Sequence, residues 1–232
     1  MEWKSNPIKP HNKSHSMFND FKLLLSCEHA HNAVPSFARN LNIPCEILES
    51  HRGYDYGVYD IYKRLVKQEK PDFYCAGKYS RLFIDLNRSL WNHSVFSEFW
   101  DSIKDNQGDA KYFALRKRAF AYYLGYRNAV EEYVSTTAAT TPVLHLAIHS
   151  FTPVLNGKER DADIGILFDP SRPQENMIAN VIISEIHARA PELKVRKNFP
   201  YQGKTDGLCT TLRKLTPHYA GFEIEFNQKL FG

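Results

Sequence analysis

Two stretches place metal-capable side chains at the ends of apolar runs: Leu23-Leu24-Leu25-Ser26-Cys27-Glu28-His29-Ala30-His31-Asn32 and Val143-Leu144-His145-Leu146-Ala147-Ile148-His149-Ser150. Each reads as a short buried strand that ends in a histidine just before a turn. In an open α/β sheet, ligands and active sites collect at the carboxyl ends of strands, so two imidazoles delivered there begin a metal centre. Hydrolytic zinc sites use three protein ligands of histidine and carboxylate type and leave a fourth position to water. His29 and His149 supply two, and the third should be an acid near the end of another element. In His51-Arg52-Gly53-Tyr54-Asp55-Tyr56-Gly57, Asp55 stands at the start of an expected helix, where the dipole favours a carboxylate as ligand or as plain N-cap. His31, His51 and His145 are rival ligands. Cys27, two residues from His29, is either a thiol ligand, a nucleophile or a small packing residue at a strand end.

Further along, Gly221-Phe222-Glu223-Ile224-Glu225-Phe226 carries two carboxylates spaced by two, so both face one side of a strand. Glutamates inside an apolar strand are costly to bury without a partner, which points to catalytic use or pairing, or else to a solvated edge strand. Asp85-Leu86-Asn87-Arg88 follows another apolar run. The planar fork of Arg88 suits a carboxylate bidentately and Asn87 can add a donor, although Arg88 could instead pair with Asp85. The loop at 201–207 contains Gly203 and Gly207; it either lines a pocket, with Tyr201 or Lys204 touching substrate, or is simply a turn.

These side chains need elements to hold them. Short apolar, β-branched or aromatic runs predict strands at 22–27, 73–76, 82–86, 143–149, 164–168, 193–197 and 221–226. Helices are expected at 56–68, 110–134, 174–189 and, as a short one, 208–215. The first sets Val58, Ile61, Tyr62 and Leu65 against Lys63, Arg64 and Lys67, and Gly125 is the expected weak point of the long second one. Residues 101–109 read as the most loop-like stretch. Strands alternating with helices argue for a three-layer α/β/α sandwich.

A chain of 232 residues, 43% hydrophobic and 24% charged, fits one large domain with a substantial core. The net charge of +4 is mild, and the one basic cluster, Arg116-Lys117-Arg118, reads as an exposed helix side, so neither nucleic acid nor membrane is an expected partner. The opening Met1-Glu2-Trp3-Lys4-Ser5-Asn6-Pro7 has no apolar signal segment, and no stretch is long enough to span a bilayer. The four cysteines lack Cys-x-x-Cys spacing, so reduced thiols in a cytoplasm are expected. Residues 1–20 are taken as an N-terminal extension and 21–232 as a single domain.

Six motifs in order resemble those of the N-formylglutamate amidohydrolase family. They are Cys27-Glu28-His29-Ala30-His31-Asn32-Ala33-Val34-Pro35, His51-x-x-x-Asp55-x-Gly57, and Tyr79-Ser80-Arg81-Leu82-Phe83-Ile84-Asp85-Leu86-Asn87-Arg88. Ile148-His149-Ser150-Phe151-Thr152-Pro153, Pro200-Tyr201-Gln202-Gly203-Lys204-Thr205-Asp206-Gly207 and Ile224-Glu225-Phe226-Asn227-Gln228 complete the series. The resemblance is to compact members rather than to the longer histidine-degradation enzymes. It implies a zinc-carboxypeptidase-like α/β/α fold with a mixed, mostly parallel sheet, and a single zinc ion on His29, Asp55 and His149. It further implies Glu225 as the base, with Glu223 second. Asp85-Leu86-Asn87-Arg88 is similar to a run in zinc acylases of N-acyl amino acids, which implies Asn87 with Arg88 holding a substrate carboxylate and Arg81 polarising the scissile carbonyl. Related carboxypeptidases take their acid three residues after the first histidine; Asn32 stands there, which favours Asp55. Longer relatives carry an acid where this chain has Ala147, so the group orienting His149 is expected to be missing. The implied reaction is hydrolysis of a small N-acyl amino acid resembling N-formyl-L-glutamate. A peptide or cell-wall fragment, or a catalytically lapsed metal-binding domain, are the alternatives. In a straight strand Arg81 and Asn87 would lie roughly 20 Å apart at about 3.3 Å per residue, so sharing a site requires a sharp bend between them.

Overall fold

The computed structural model describes residues 18–232, so most of the expected extension at 1–20 lies outside the described residues. In chain order the strands are β1 (Lys22–Cys27), β2 (Phe73–Ala76), β3 (Val143–Phe151), β4 (Val154–Leu155), β5 (Lys158–Glu159), β6 (Ile164–Leu167), β7 (Val195–Lys197) and β8 (Tyr219–Asn227). Six form a mixed sheet in the order β2-β1-β3-β8-β6-β7, and β4 with β5 makes a separate small hairpin. All pairings in the large sheet are parallel except β6 with β8. The central strands are apolar on both faces because both faces are covered, which is why they read as continuous runs.

The helices are α1 (Cys45–Leu48), α2 (Val58–Glu69), α3 (Phe99–Gln107), α4 (Asp109–Thr137), α5 (Pro173–Arg189) and α6 (Leu208–Leu212). Val58 and Tyr62 of α2 and Ile178 and Ala179 of α5 pack on Leu25, Cys27, Leu144 and Phe222. On the other face, Val130 and Val134 of α4 and Leu208 and Leu212 of α6 meet Leu24, Val143 and Tyr219. Successive side chains of a strand alternate faces, so Leu24 and Leu25 enter different cores and the three layers follow.

Three expectations fail. Residues 82–86 form turns and not a strand: Phe83, Ile84 and Leu86 are buried in a further core with Trp100, Ile103, Leu115 and Tyr123, outside the sheet. Local apolarity is the same in either setting, so the run alone does not distinguish them. The polar stretch at 101–109 is mostly helix, because buried Trp100 and Ile103 hold α3 against that core, and only Gly108, at φ 79°, interrupts the chain before α4. Helix α4 runs unbroken through Gly125, a residue that costs a helix about 1 kcal/mol without breaking it.

His145 is a structural histidine. It is fully buried, with Nε2 2.7 Å from Ser26 Oγ and Nδ1 2.6 Å from Tyr219 Oη. Burial pushes its imidazole down to about 4 from an ordinary 6.5. Between those values the unfolded chain binds the proton more readily than the folded one, so this contribution is intact above pH 6.5 and is lost as the pH falls toward 4. The loss should reach about 3 kcal/mol, at about 1.4 kcal/mol per unit. Urea unfolding from pH 7 to pH 4 measures it, and His145→Gln should flatten the dependence. An equally acid-sensitive variant would remove His145 as the cause.

Candidate metal centre

Strands β1, β3 and β8 run parallel, so their carboxyl ends emerge at one edge of the sheet, with His149 opposite Glu225 and Ala147 opposite Glu223. His29 follows the end of β1. Asp55 is tied to the same place through its backbone, its N–H donating to the His29 carbonyl at 3.0 Å. Asp55 is not the cap of α2: Gly57 is, at φ 76°, where a side chain would be strained and would strike the Phe231 ring. The Asp55 carboxylate is therefore turned into the protein.

His29, Asp55 and His149 are all buried, and one ligand-capable atom from each lies within 4.8 Å of the others. His149 Nδ1 is 2.9 Å from Asp55 Oδ2, and His29 Nδ1, which has no hydrogen-bond partner, is 3.6 Å from the same oxygen. The opposite nitrogen of each ring faces an acid. His29 Nε2 is 2.7 Å from Asp85 Oδ1, and His149 Nε2 is 3.0 Å from Glu28 Oε2, a contact close enough for an ion pair but not aligned as a hydrogen bond. A carboxylate at Nε2 favours the proton there and turns Nδ1 inward as the ligand atom, the arrangement that orients metal-binding imidazoles. The buried, unpartnered Nδ1 and a nitrogen, nitrogen, oxygen donor set fit a divalent ion such as zinc.

The acid behind His149 is thus present, contrary to the expectation from Ala147. Glu28 supplies it from the end of β1, and Tyr126 Oη of α4 donates to Glu28 Oε1 at 2.9 Å. Burial alone would raise the Glu28 carboxyl, but His149 brings it down to about 2. Burial would likewise lower His149, yet the Asp55 and Glu28 carboxylates hold it well above its usual range. Asp85 does not pair with the Arg88 side chain; it accepts from the backbone N–H of Asn87 at 2.8 Å and stays well below the ordinary carboxylate range despite burial, held there chiefly by His29.

Glu225 is buried, its Oε2 without a hydrogen-bond partner. Burial pushes its carboxyl up to about 8; His149 opposes the rise, while Asp55 and Glu223 add to it. A carboxyl poised there can exchange a proton near neutral pH. Arg81 donates through its guanidinium to Asp55 Oδ1, and its Nε lacks a partner. Residues 82–86 turn, so Arg81 reaches Asp55 while the Asn87 N–H donates to Asp85, whose carboxylate meets His29. Asn87 is buried, its Oδ1 accepting from Leu208 N–H at 2.7 Å and its Nδ2 donating to Glu223 Oε1 at 3.4 Å. A side chain at Gly207 would lie 3.0 Å from both Asn87 Oδ1 and Glu223 Oε1, a contact tight enough that one of them would have to shift. Arg88 spends one nitrogen on the carbonyls of Asn87 and Asp206, each at 3.1 Å.

Other sequence candidates fall elsewhere. Tyr201 is exposed, with the Arg160 guanidinium 5.1 Å above its ring, and Lys204 is also at the surface. His31 packs edge-on to Tyr59, His51 is exposed, and neither joins the triangle. Cys27 is a core residue whose thiol burial pushes well up, so packing is its role; all four cysteines are free. Among the described residues no helix is long and apolar enough to cross a membrane.

Fold and site together define a class: an α/β protein whose mostly parallel sheet carries, at its carboxyl edge, a buried His-Asp-His group able to hold a metal ion. The family model described as N-formylglutamate amidohydrolase matches residues 21–232. The crystal structure of the gene product Atu2144 from Agrobacterium tumefaciens is 32% identical, with 90% of this chain and 82% of that chain covered and a TM-score of 0.69. The crystal structure of N-formylglutamate amidohydrolase from Ralstonia eutropha JMP134 is 15% identical, covering 90% of this chain and 83% of that one, with a TM-score of 0.49. No curated protein gives a significant match. This chain belongs to the N-formylglutamate amidohydrolase family.

Proposed function

We propose that the protein is a zinc-dependent hydrolase that cleaves the amide bond of a small, carboxylate-bearing N-acyl amino acid of the N-formyl-L-glutamate type. The observation that carries this reading is the His29-Asp55-His149 triangle with unpartnered, buried Glu225 in register beside His149. His29 and His149 would hold the ion through Nδ1, and Asp55 through Oδ2. When bound, the ion supplies Lewis acidity, polarising a carbonyl, acidifying water and drawing neighbouring carboxyl groups toward their ionised form. Glu225 takes a proton from the attacking water and returns it to the departing amine as the carbon–nitrogen bond breaks. Arg81, fixed against Asp55, directs its remaining N–H groups at the carbonyl oxygen. Asn87 and Arg88 hold the substrate carboxylate, with Tyr201 at the outer rim.

Helix α4 takes part indirectly, because Tyr126 braces the acid behind His149. Tyr126→Phe keeps the ring and removes that hydrogen bond together with the hydroxyl's contact to the Cys75 thiol. It should weaken zinc binding about tenfold, as measured by competition with a coloured chelator. Unchanged affinity would detach the helix from the site.

The reading is tested by offering N-formyl-, N-acetyl- and larger N-acyl amino acids, alongside short peptides, to the zinc-supplied protein. Hydrolysis of the N-acyl amino acids that stops on chelation and returns with zinc supports it. Cleavage of peptides alone would move the substrate, and a zinc-loaded but inert protein would mark a domain that has lost catalysis.

A further inference from the structure

Arg160 has no part in the chemistry above. It follows directly on β5, the second strand of the small hairpin after β3. Its backbone is fixed: the N–H donates to the Pro153 carbonyl at 2.8 Å, and the carbonyl accepts from Asn227 Nδ2 at 3.4 Å. Its guanidinium lies 5.8 Å from the centre of the Phe151 ring and 5.1 Å from that of Tyr201. Phe151 and Asn227 face each other in the β3–β8 ladder, as His149 and Glu225 do two residues earlier. Side chains two apart on a strand share a face, about 7 Å from one another along it. Arg160 therefore stands over the row next to the one that holds His149 and Glu225.

Among the described residues no carboxylate pairs with this guanidinium, and its one side-chain hydrogen bond is long, 3.5 Å from Nη1 to Thr152 Oγ1. Asp161, next in the chain, pairs with Lys194, and Glu159 is exposed. The two aromatic rings steady the planar fork and leave its edge free to bind. The field of Arg160 reaches the site: burial lowers the His51 imidazole, and Arg81, Arg160 and Arg52 lower it further. The loop at 201–207 also joins Arg160 to Arg88, since Tyr201 lies under the one and the Asp206 carbonyl accepts from the other. A half-buried, pre-positioned guanidinium without an acid suits a carboxylate bidentately. We propose that Arg160 is a second carboxylate anchor, so that the substrate is the N-acyl derivative of an acidic amino acid. One carboxylate lies at Asn87 and Arg88 and the other at Arg160. The inference rests on the hydrolase reading and goes beyond it by requiring two anions and assigning the residue that receives the second.

The test measures kcat/KM on the zinc-supplied full chain for three compounds. N-formyl-L-glutamate carries both carboxylates, N-formyl-L-glutamine lacks the side-chain one, and N-formyl-4-aminobutyrate lacks the α one. Arg160→Met keeps an apolar stem over Phe151 without the charge, and Arg160→Lys keeps the charge without the fork. Wild type should prefer the diacid to each monoacid. Arg160→Met should lower at least one of those two preferences about ten- to a hundredfold, mainly through KM, and Arg160→Lys should recover part of it. A wild type indifferent to the second carboxylate, or both preferences unchanged in Arg160→Met, would overturn the inference and leave the hydrolase reading standing. Calorimetric binding of glutarate and of valerate to the same proteins covers a protein that hydrolyses none of the three. There, a preference for glutarate that falls in Arg160→Met keeps the anchor and sinks the hydrolase reading alone, whereas equal binding of the two acids sinks both.

Discussion

Glu225→Gln should retain its zinc and lose turnover, kcat falling about 10²- to 10⁴-fold, the range expected for removal of a general base. The amide is nearly the shape of the acid and cannot accept the proton. Its neighbour is the control. Glu223 points to the same face of β8 but is more accessible and is engaged with Asn87 Nδ2, whereas Glu225 stands opposite His149 with Oε2 unpartnered. Glu223→Gln should therefore act mainly on substrate binding through Asn87. Elemental analysis of each variant beside steady-state kinetics separates the two outcomes, and near-normal kcat in Glu225→Gln would remove that residue from the mechanism.

Arg81→Lys should be nearly as damaging. Lysine keeps a positive charge for Asp55 and so guards the fold, since stripping one partner from a buried ion pair costs about 3–5 kcal/mol. It lacks the planar fork that lets one guanidinium hold Asp55 and still face a carbonyl oxygen. Loss of an oxyanion donor is worth about 10²- to 10³-fold in kcat, with KM and zinc content little changed. An effect confined to a rise in KM would make Arg81 a binding residue; no change at all would leave it as the counter-charge of Asp55 alone.

Much of this site was legible because it obeys strand geometry. His29 and His149 announce themselves by following apolar runs, and the spacing of two between Glu223 and Glu225 places both on one face. The strands of the sheet and the helices α2, α4 and α5 follow from the pattern of apolar residues, and α5 also from Pro173 at its start. What escaped depends on partners distant in sequence. Nothing local to Asp85 tells that its oxygen will meet His29, 56 residues earlier. Glu28 was visible inside its motif, but its service to His149 arises only when β1 and β3 pair. The same limit explains the turn at 82–86 and helix α3: tertiary burial of Phe83, Trp100 and Ile103 decided both conformations.

The central claim is that the three buried side chains hold a metal, and metal content tests it most directly. The protein, purified without added metal and analysed for zinc beside His149→Ala, should carry about one zinc per chain, lost in the folded variant. Wild-type protein that remains free of metal after zinc is supplied would contradict the account.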